Sequence, residues 1–225
     1  MRFQDAARDG RAVVYAGIQA DPLVARAAGL LADATAAQRV LARAVMNGES
    51  TDSATWQTIF PSLFGEAVDG AMRAQAESIL AVSLLVADRG EQVRSQFRGA
   101  IVEELTAVLL ARRASATAVR RERRVLFDGV RAEIHPYDVT VERDGAAEAW
   151  DCKWGARGIN ADVLHQLDDA RGHSADEDEA LRVGLVIFDA ERSCAVRLER
   201  QTAPRDGTVV IGLESLDRLA TGIGA

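Results

Sequence analysis

Cysteine, lysine and histidine are scarce in this chain. Two cysteines, Cys152 and Cys194, exclude a disulfide framework and suit a reducing cytoplasm, the expected location. His135, His165 and His173 add too little for a four-cysteine zinc site, and His165 with Asp169, one helical turn apart, reads as a solvated polar face. The longest apolar stretch, Ile79 to Ala87, is broken by Ser83 and falls short of the roughly 20 residues that cross a bilayer, so no membrane partner is expected. The opening MRFQDAARDG has mixed charge and no apolar run, unlike a secretory leader. A basic excess is also missing: a formal net charge of −7 excludes a uniformly basic nucleic-acid coat protein.

What is abundant points to an ordinary globular interior. Of 225 residues, 48% are hydrophobic and 27% charged, enough apolar content for one large or two small domains and against long disorder. The Lys+Arg total of 27 contains a single lysine, Lys153, leaving 26 arginines. Lysine is a compact point charge that can orient or deprotonate water, whereas arginine stays protonated and planar, so the lone lysine is a candidate for a site where arginine will not serve.

Residues 1–92 read as an all-helical domain for regulation, oligomerisation or recognition. Pro22 opens the helical pattern PLVARAAGLLADA, and Thr35 caps a second helix through Val45 that Gly48 closes. Glu66 to Ala87 is a third pattern ended by Gly90. Trp56, Ile59, Phe60, Leu63 and Phe64 form an aromatic-aliphatic cluster that reads as core.

The remainder, 93–225, is the second domain. Gln92 to about Arg121 reads as a long helix, with Phe97, Ile101, Leu105, Val108 and Leu109 on one stripe. From Arg94 to Arg131 nine arginines face four acids, about +5 in an acidic chain, densest in Arg120, Arg121, Arg123 and Arg124. That run is either a solvated helix end, favoured by the macrodipole, or a phosphate-facing patch. After Val125 the period changes to alternation: VLFDGVRAEI, YDVTVERDG and EAWDCKW read as three strands. Asn160 or Asp162 caps a helix over Val163 to about Ala170. Val183 to Phe188 is a buried strand, and Thr208 to Leu213 is a last strand before a short helix, Glu214 to Ala220. The sum is an α/β sandwich with a mixed sheet.

Asp144-Gly145 carries a strong two-residue turn signal. With that turn Arg143 faces Ala146, and Asp138 lies opposite Asp151, Cβ atoms about 4.5–5.5 Å apart. Trp150, Cys152 and Trp154 then point to the core, while Asp151 and Lys153 emerge with Asp138 on the other face. Two carboxylates so placed repel unless a divalent cation lies between them.

Asp138 followed by Asp151-Cys152-Lys153 resembles the PD-(D/E)xK nuclease superfamily, over roughly residues 95–220. RGAIVEEL looks like the family's first core helix, with its acid at Glu103 (or Glu104), and His165-Gln166-Leu167 looks like the glutamine-leucine step after the motif strand. His135-Pro136-Tyr137-Asp138 departs from the pattern by one residue between proline and aspartate. The resemblance implies a restriction-endonuclease-like core, α-β-β-β-α-β, and phosphodiester hydrolysis, of DNA before RNA, with Mg²⁺ or Mn²⁺ as cofactor and bacterial defence or restriction as setting. Asp138, Asp151, the Cys152 carbonyl and Glu103 would hold the metal, and Lys153 would act on the attacking water. Gln166 would position the lysine or touch the phosphate backbone, and Arg120, Arg121, Arg123 and Arg124 would draw in nucleic acid. A homodimer or companion regulatory subunit is expected, because cutting both strands takes two sites. The alternatives are a catalytically silent nuclease-like scaffold that binds nucleic acid or protein, and a helical interaction protein.

Overall fold

The computed structural model describes residues 1–6, 10–49, 52–129, 135–143, 146–204 and 206–222. It divides into two compact units, 10–105 and a second made of 1–9 with 106–225.

The first unit is helical: α1 (Gly10–Gln19), α2 (Pro22–Ala32), α3 (Ala36–Asn47), α4 (Ser53–Ile59), α5 (Pro61–Phe64), α6 (Gly70–Ala87) and α7 (Glu91–Ala111), the unit boundary falling within α7. Side chains fix the helix starts. Asp21, Asp52 and Asp69 accept backbone N–H groups at the first turns of α2, α4 and α6, and Thr35 with Gln38 forms a capping box on α3. Trp56 and Leu63 are buried with Leu41, Val45, Ala76 and Leu80, so the aromatic cluster is core, although Ile59 stays exposed. Among the described residues, α6 alone reaches the length and mean hydropathy (1.2) of a bilayer span; its Ile79, Leu80, Val82 and Val86 are buried within the molecule.

The second unit is α/β, built on a six-stranded mixed sheet in sequential order: β1 (Arg2–Asp5), β2 (Val119–Leu126), β3 (Tyr137–Arg143), β4 (Ala146–Lys153), β5 (Leu181–Ile187) and β6 (Val209–Ile211). Strands β1 to β4 run antiparallel, and β4, β5 and β6 run parallel. The parallel steps are made through α8 (Ala161–Asp176) and α9 (Glu191–Glu199), and α10 (Arg218–Thr221) follows β6. Leu185 and Ile187 of β5 pack with Leu164, Leu167 and Ala170 of α8 on one face. On the other face Trp150 is fully buried and the Cys152 thiol meets the Thr106 hydroxyl of α7 at 3.4 Å. Arg113 clamps Glu148 through two bonds of 2.7 and 2.6 Å. Burial opposes ionisation of Glu148, but the guanidinium outweighs it and holds this carboxyl below its ordinary value.

Several elements differ from the sequence-based expectation. The arginine run lies in β2 and not at a helix end, because α7 stops at Ala111. Cross-strand acids make that strand tolerable: Arg123 pairs with Glu142 at 2.8 Å and with Asp5. The expected strand 125–134 overlaps β2 only at its start, and its end, 130–134, lies outside the described residues, as does the Asp144-Gly145 turn. Strand β1 joins residues 2–5 to the sheet and not to the helical domain expected over 1–92. Helix α9 was not anticipated. Its ERSCAVRLE buries only Cys194, so its helical period is faint, yet two parallel strands flanking residues 188–208 require a crossover of this kind.

Gly184 faces Trp150 across the β4–β5 pair, and a Cβ there would come within 2.5 Å of the indole and 2.7 Å of the Val209 carbonyl. Gly184→Ala is therefore expected to cost about 1–3 kcal/mol and to lower the melting midpoint by several degrees in circular dichroism; an unchanged midpoint contradicts this packing.

Candidate functional site

The pairs running from Arg143 with Ala146 to Val139 with Trp150 set β3 against β4. Extended by one residue, that register puts Asp138 against Asp151, and the backbone N–H of Cys152 donates to Asp138 Oδ2 at 2.6 Å. Lys153 Nζ donates to Asp151 Oδ1 at 2.5 Å and lies 3.9 Å from Asp138 Oδ2. Three charged groups thus meet at the end of β4. Their side chains are 14% (Asp151), 17% (Asp138) and 33% (Lys153) exposed, so the group is shielded but reachable from solvent.

This face of the sheet is not a solvent face, as alternation alone had suggested. Asp151 and Lys153 stand in register with the buried Leu185 and Ile187, which α8 covers. A sheet packed on both sides has no free face, and polar groups open to solvent only where the cover ends. Here it ends at the carboxyl end of β4, the strand at which the sheet switches from antiparallel to parallel pairing.

The chain beyond β4 holds the lysine in place. Gly158, in the 3-10 turn Ala156–Gly158, abuts the Lys153 stem: a Cβ there would lie 2.6 Å from Cγ and 2.7 Å from Cβ of the lysine. The turn is pinned by Asp189 just after β5, whose carboxylate accepts from Ala156 N at 3.0 Å and from Ala190 N at 2.8 Å. Phe188 N donates to the Lys153 carbonyl at 2.9 Å, and Asn160 caps α8. Burial lowers the proton affinity of Lys153, but the charges of Asp138 and Asp151 prevail and raise it above its ordinary value, so the side chain is an ammonium.

The other residues singled out in the sequence make contacts of their own. Gln166 on α8 donates to the His135 carbonyl at 3.0 Å and so fastens the segment leading into Asp138. Cys152 offers its N–H to Asp138 and sends its thiol to the opposite face. Glu103 belongs to the helical unit, where its buried carboxylate accepts from Tyr15 Oη at 2.6 Å and Gln19 Nε2 at 2.7 Å. In β2, Arg120 is exposed, Arg121 and Arg124 are half-buried, and Arg123 is engaged by Glu142 and Asp5. Glu122, between the paired Arg121 and Arg123, takes a left-handed φ of 53°, a backbone state that costs a non-glycine residue on the order of 1 kcal/mol. Sequence reasoning passed over Gly158 and Asp189; the one available signal was a glycine shortly after the sole lysine.

Two neighbouring carboxylates supply hard oxygen donors. That set suits a magnesium-type ion, which takes one or two protein carboxylates and keeps several waters, and it does not suit zinc. Among the described residues no cluster of three or more His, Cys, Asp or Glu forms a fuller cage.

No protein-family model matches this chain. No curated protein matches it. Among solved structures it is similar to protein VC1899 from Vibrio cholerae, at 16% identity and a TM-score of 0.45, over 98% of this chain and 57% of that one. The chain therefore spans little more than half the length of that protein.

Because Lys153 is the only lysine, lysine-selective ¹³C labelling gives one ε-carbon resonance. That signal is expected to remain in its ammonium form through pH 10.5, the ordinary value for lysine, and Asp151→Asn is expected to bring its titration downward. Titration at or below the ordinary value in the parent protein contradicts the described ion pairs.

Proposed function

We propose that this protein is a magnesium- or manganese-dependent nuclease of the PD-(D/E)xK type that hydrolyses phosphodiester bonds, DNA before RNA. The observation that carries this reading is the meeting of Asp138, Asp151 and the only lysine at the end of β4. The succession α7, β2, β3, β4, α8, β5 supports it, being the α-β-β-β-α-β order of the restriction-endonuclease-like core.

Asp138 and Asp151 are the residues to hold the ion, which supplies Lewis-acid neutralisation of charge at the scissile phosphate. A backbone N–H donates to Asp138 Oδ2, so a rigid element helps to set the position of this carboxylate. The Lys153 ammonium has three donors. With one on Asp151, the others can orient an attacking water and offset the negative charge that builds on the phosphoryl oxygens. Gly158 restricts the lysine stem to the side where both carboxylates lie, and Gln166 steadies the chain entering Asp138.

The test is cleavage of plasmid, linear and single-stranded DNA and of RNA with Mg²⁺, Mn²⁺ or EDTA. Activity is expected to vanish in EDTA and to fall at least about 100-fold in Asp151→Ala and Lys153→Ala, with circular dichroism unchanged. Gly158→Ala, which displaces the lysine without removing it, is expected to fall in between, by about 10-fold. Cleavage by Asp151→Ala at the parent rate overturns the assignment.

A further inference from the structure

Beside the proposed site, a groove of about 400 Å³ runs between the 3-10 turn Ala156–Gly158 and α9. Arg157, Arg192, Ser193, Val196, Arg197 and Arg200 line it, with no acid among its lining residues. In a chain with 34 acidic residues and a net charge of −7, that grouping is anomalous. Like charges grouped in this way repel, and an anion entering the groove relieves that repulsion.

The geometry of α9 makes the segregation specific. At about 100° per residue, positions 192, 193, 196, 197 and 200 share one arc, while Glu191 stands nearly opposite and Glu199 to the flank. Cys194 and Leu198 turn toward the core. Arg197 is fixed by its Nε donating to the Ile159 carbonyl at 2.9 Å, whereas Arg157, Arg192 and Arg200 are exposed. The groove is also tied to the carboxylate–lysine group. Arg157 sits between Ala156, anchored by Asp189, and Gly158, pressed against the Lys153 stem. By contrast, Arg123 in β2 is already neutralised by Glu142 and Asp5.

We propose that this groove carries the phosphodiester backbone of a nucleic-acid strand past Asp138, Asp151 and Lys153, with Arg157, Arg192 and Arg200 on successive phosphates. Guanidinium forks match phosphate oxygens two at a time and read no base, so binding is independent of sequence. The inference rests on the nuclease reading and locates its substrate track on α9, away from the arginine run of β2.

The experiment uses the full chain carrying Asp151→Ala, to prevent cleavage, in EDTA. Fluorescence anisotropy with labelled single-stranded DNA, the matching duplex and RNA is followed across salt concentrations. Each lost phosphate contact lowers the slope of log K against log salt by about 0.7 for a single strand and about 0.9 for a duplex. Arg192→Ala/Arg200→Ala is expected to lower it by about twice that and to weaken binding at low salt at least 10-fold. Arg120→Ala is expected to leave both unchanged, and equal melting midpoints among the variants exclude misfolding. An unchanged slope in the double variant, an equal loss in Arg120→Ala, or no binding by the parent overturns the proposal. Metal-dependent cleavage by the wild-type chain alongside an unchanged slope would sink the groove alone. Groove-dependent binding without any cleavage would sink the nuclease reading alone.

Discussion

Two carboxylates held side by side repel, and the antiparallel register of β3 with β4, carried one residue past Val139 and Trp150, brings Asp138 and Asp151 to the same ammonium. The register is in turn enforced by burial. Val139 and Trp150 are paired and fully buried, Tyr137 is buried, and Gly184 leaves room for the indole from the next strand. A slip of one residue would turn this whole set to the opposite face. The sheet thus spends apolar packing to keep an unfavourable pair of charges together, and Lys153 and the Cys152 N–H offset part of that cost. Acids maintained against their own repulsion, with a cation at their side, suit chemistry on a charged ligand better than they suit stability.

The group sits where the sheet changes its pairing mode. β3 enters and β4 leaves at the same end, and β5 continues alongside β4 in parallel. The connections on either side, into Asp138 and out of Lys153, therefore diverge from one point. Polar side chains fasten both: Gln166 holds the incoming segment at His135, and Asp189 holds the outgoing turn at Ala156. Rigid elements carry the charges, and the loops around them are stitched to those elements.

How much of this was legible depended on the strength of each local signal. The helices of the first unit were marked by Pro22, Thr35 and Gly48, and their caps stand close to where those residues suggested. The side-by-side placement of Asp138 and Asp151 followed from the two-residue Asp144-Gly145 turn signal and strand alternation, which are local, and the pairing of Arg143 with Ala146 agrees with it. What did not follow was anything decided by tertiary cover. The arginine run of β2 lacks apolar alternation and is a strand because β1 and β3 bond it from both sides. Helix α9 buries little and was invisible to periodicity. Lys153 and Asp151 looked solvent-facing because the sequence says nothing of α8 lying over their face. Gly158 and Asp189 act through neighbours brought close by folding, and a glycine shortly after the sole lysine was the faint local sign of the first.

The ion pairing of Lys153 bears on how the molecule meets electrophiles. No other side chain carries a primary amine, and this one keeps its proton under the influence of two aspartates with its stem wedged against Gly158. A protonated amine has no lone pair to offer. Reaction of Lys153 with acylating and aldehyde reagents is therefore slowed in the folded protein, and the onset of labelling at that one residue would register the moment at which this corner of the sheet comes apart.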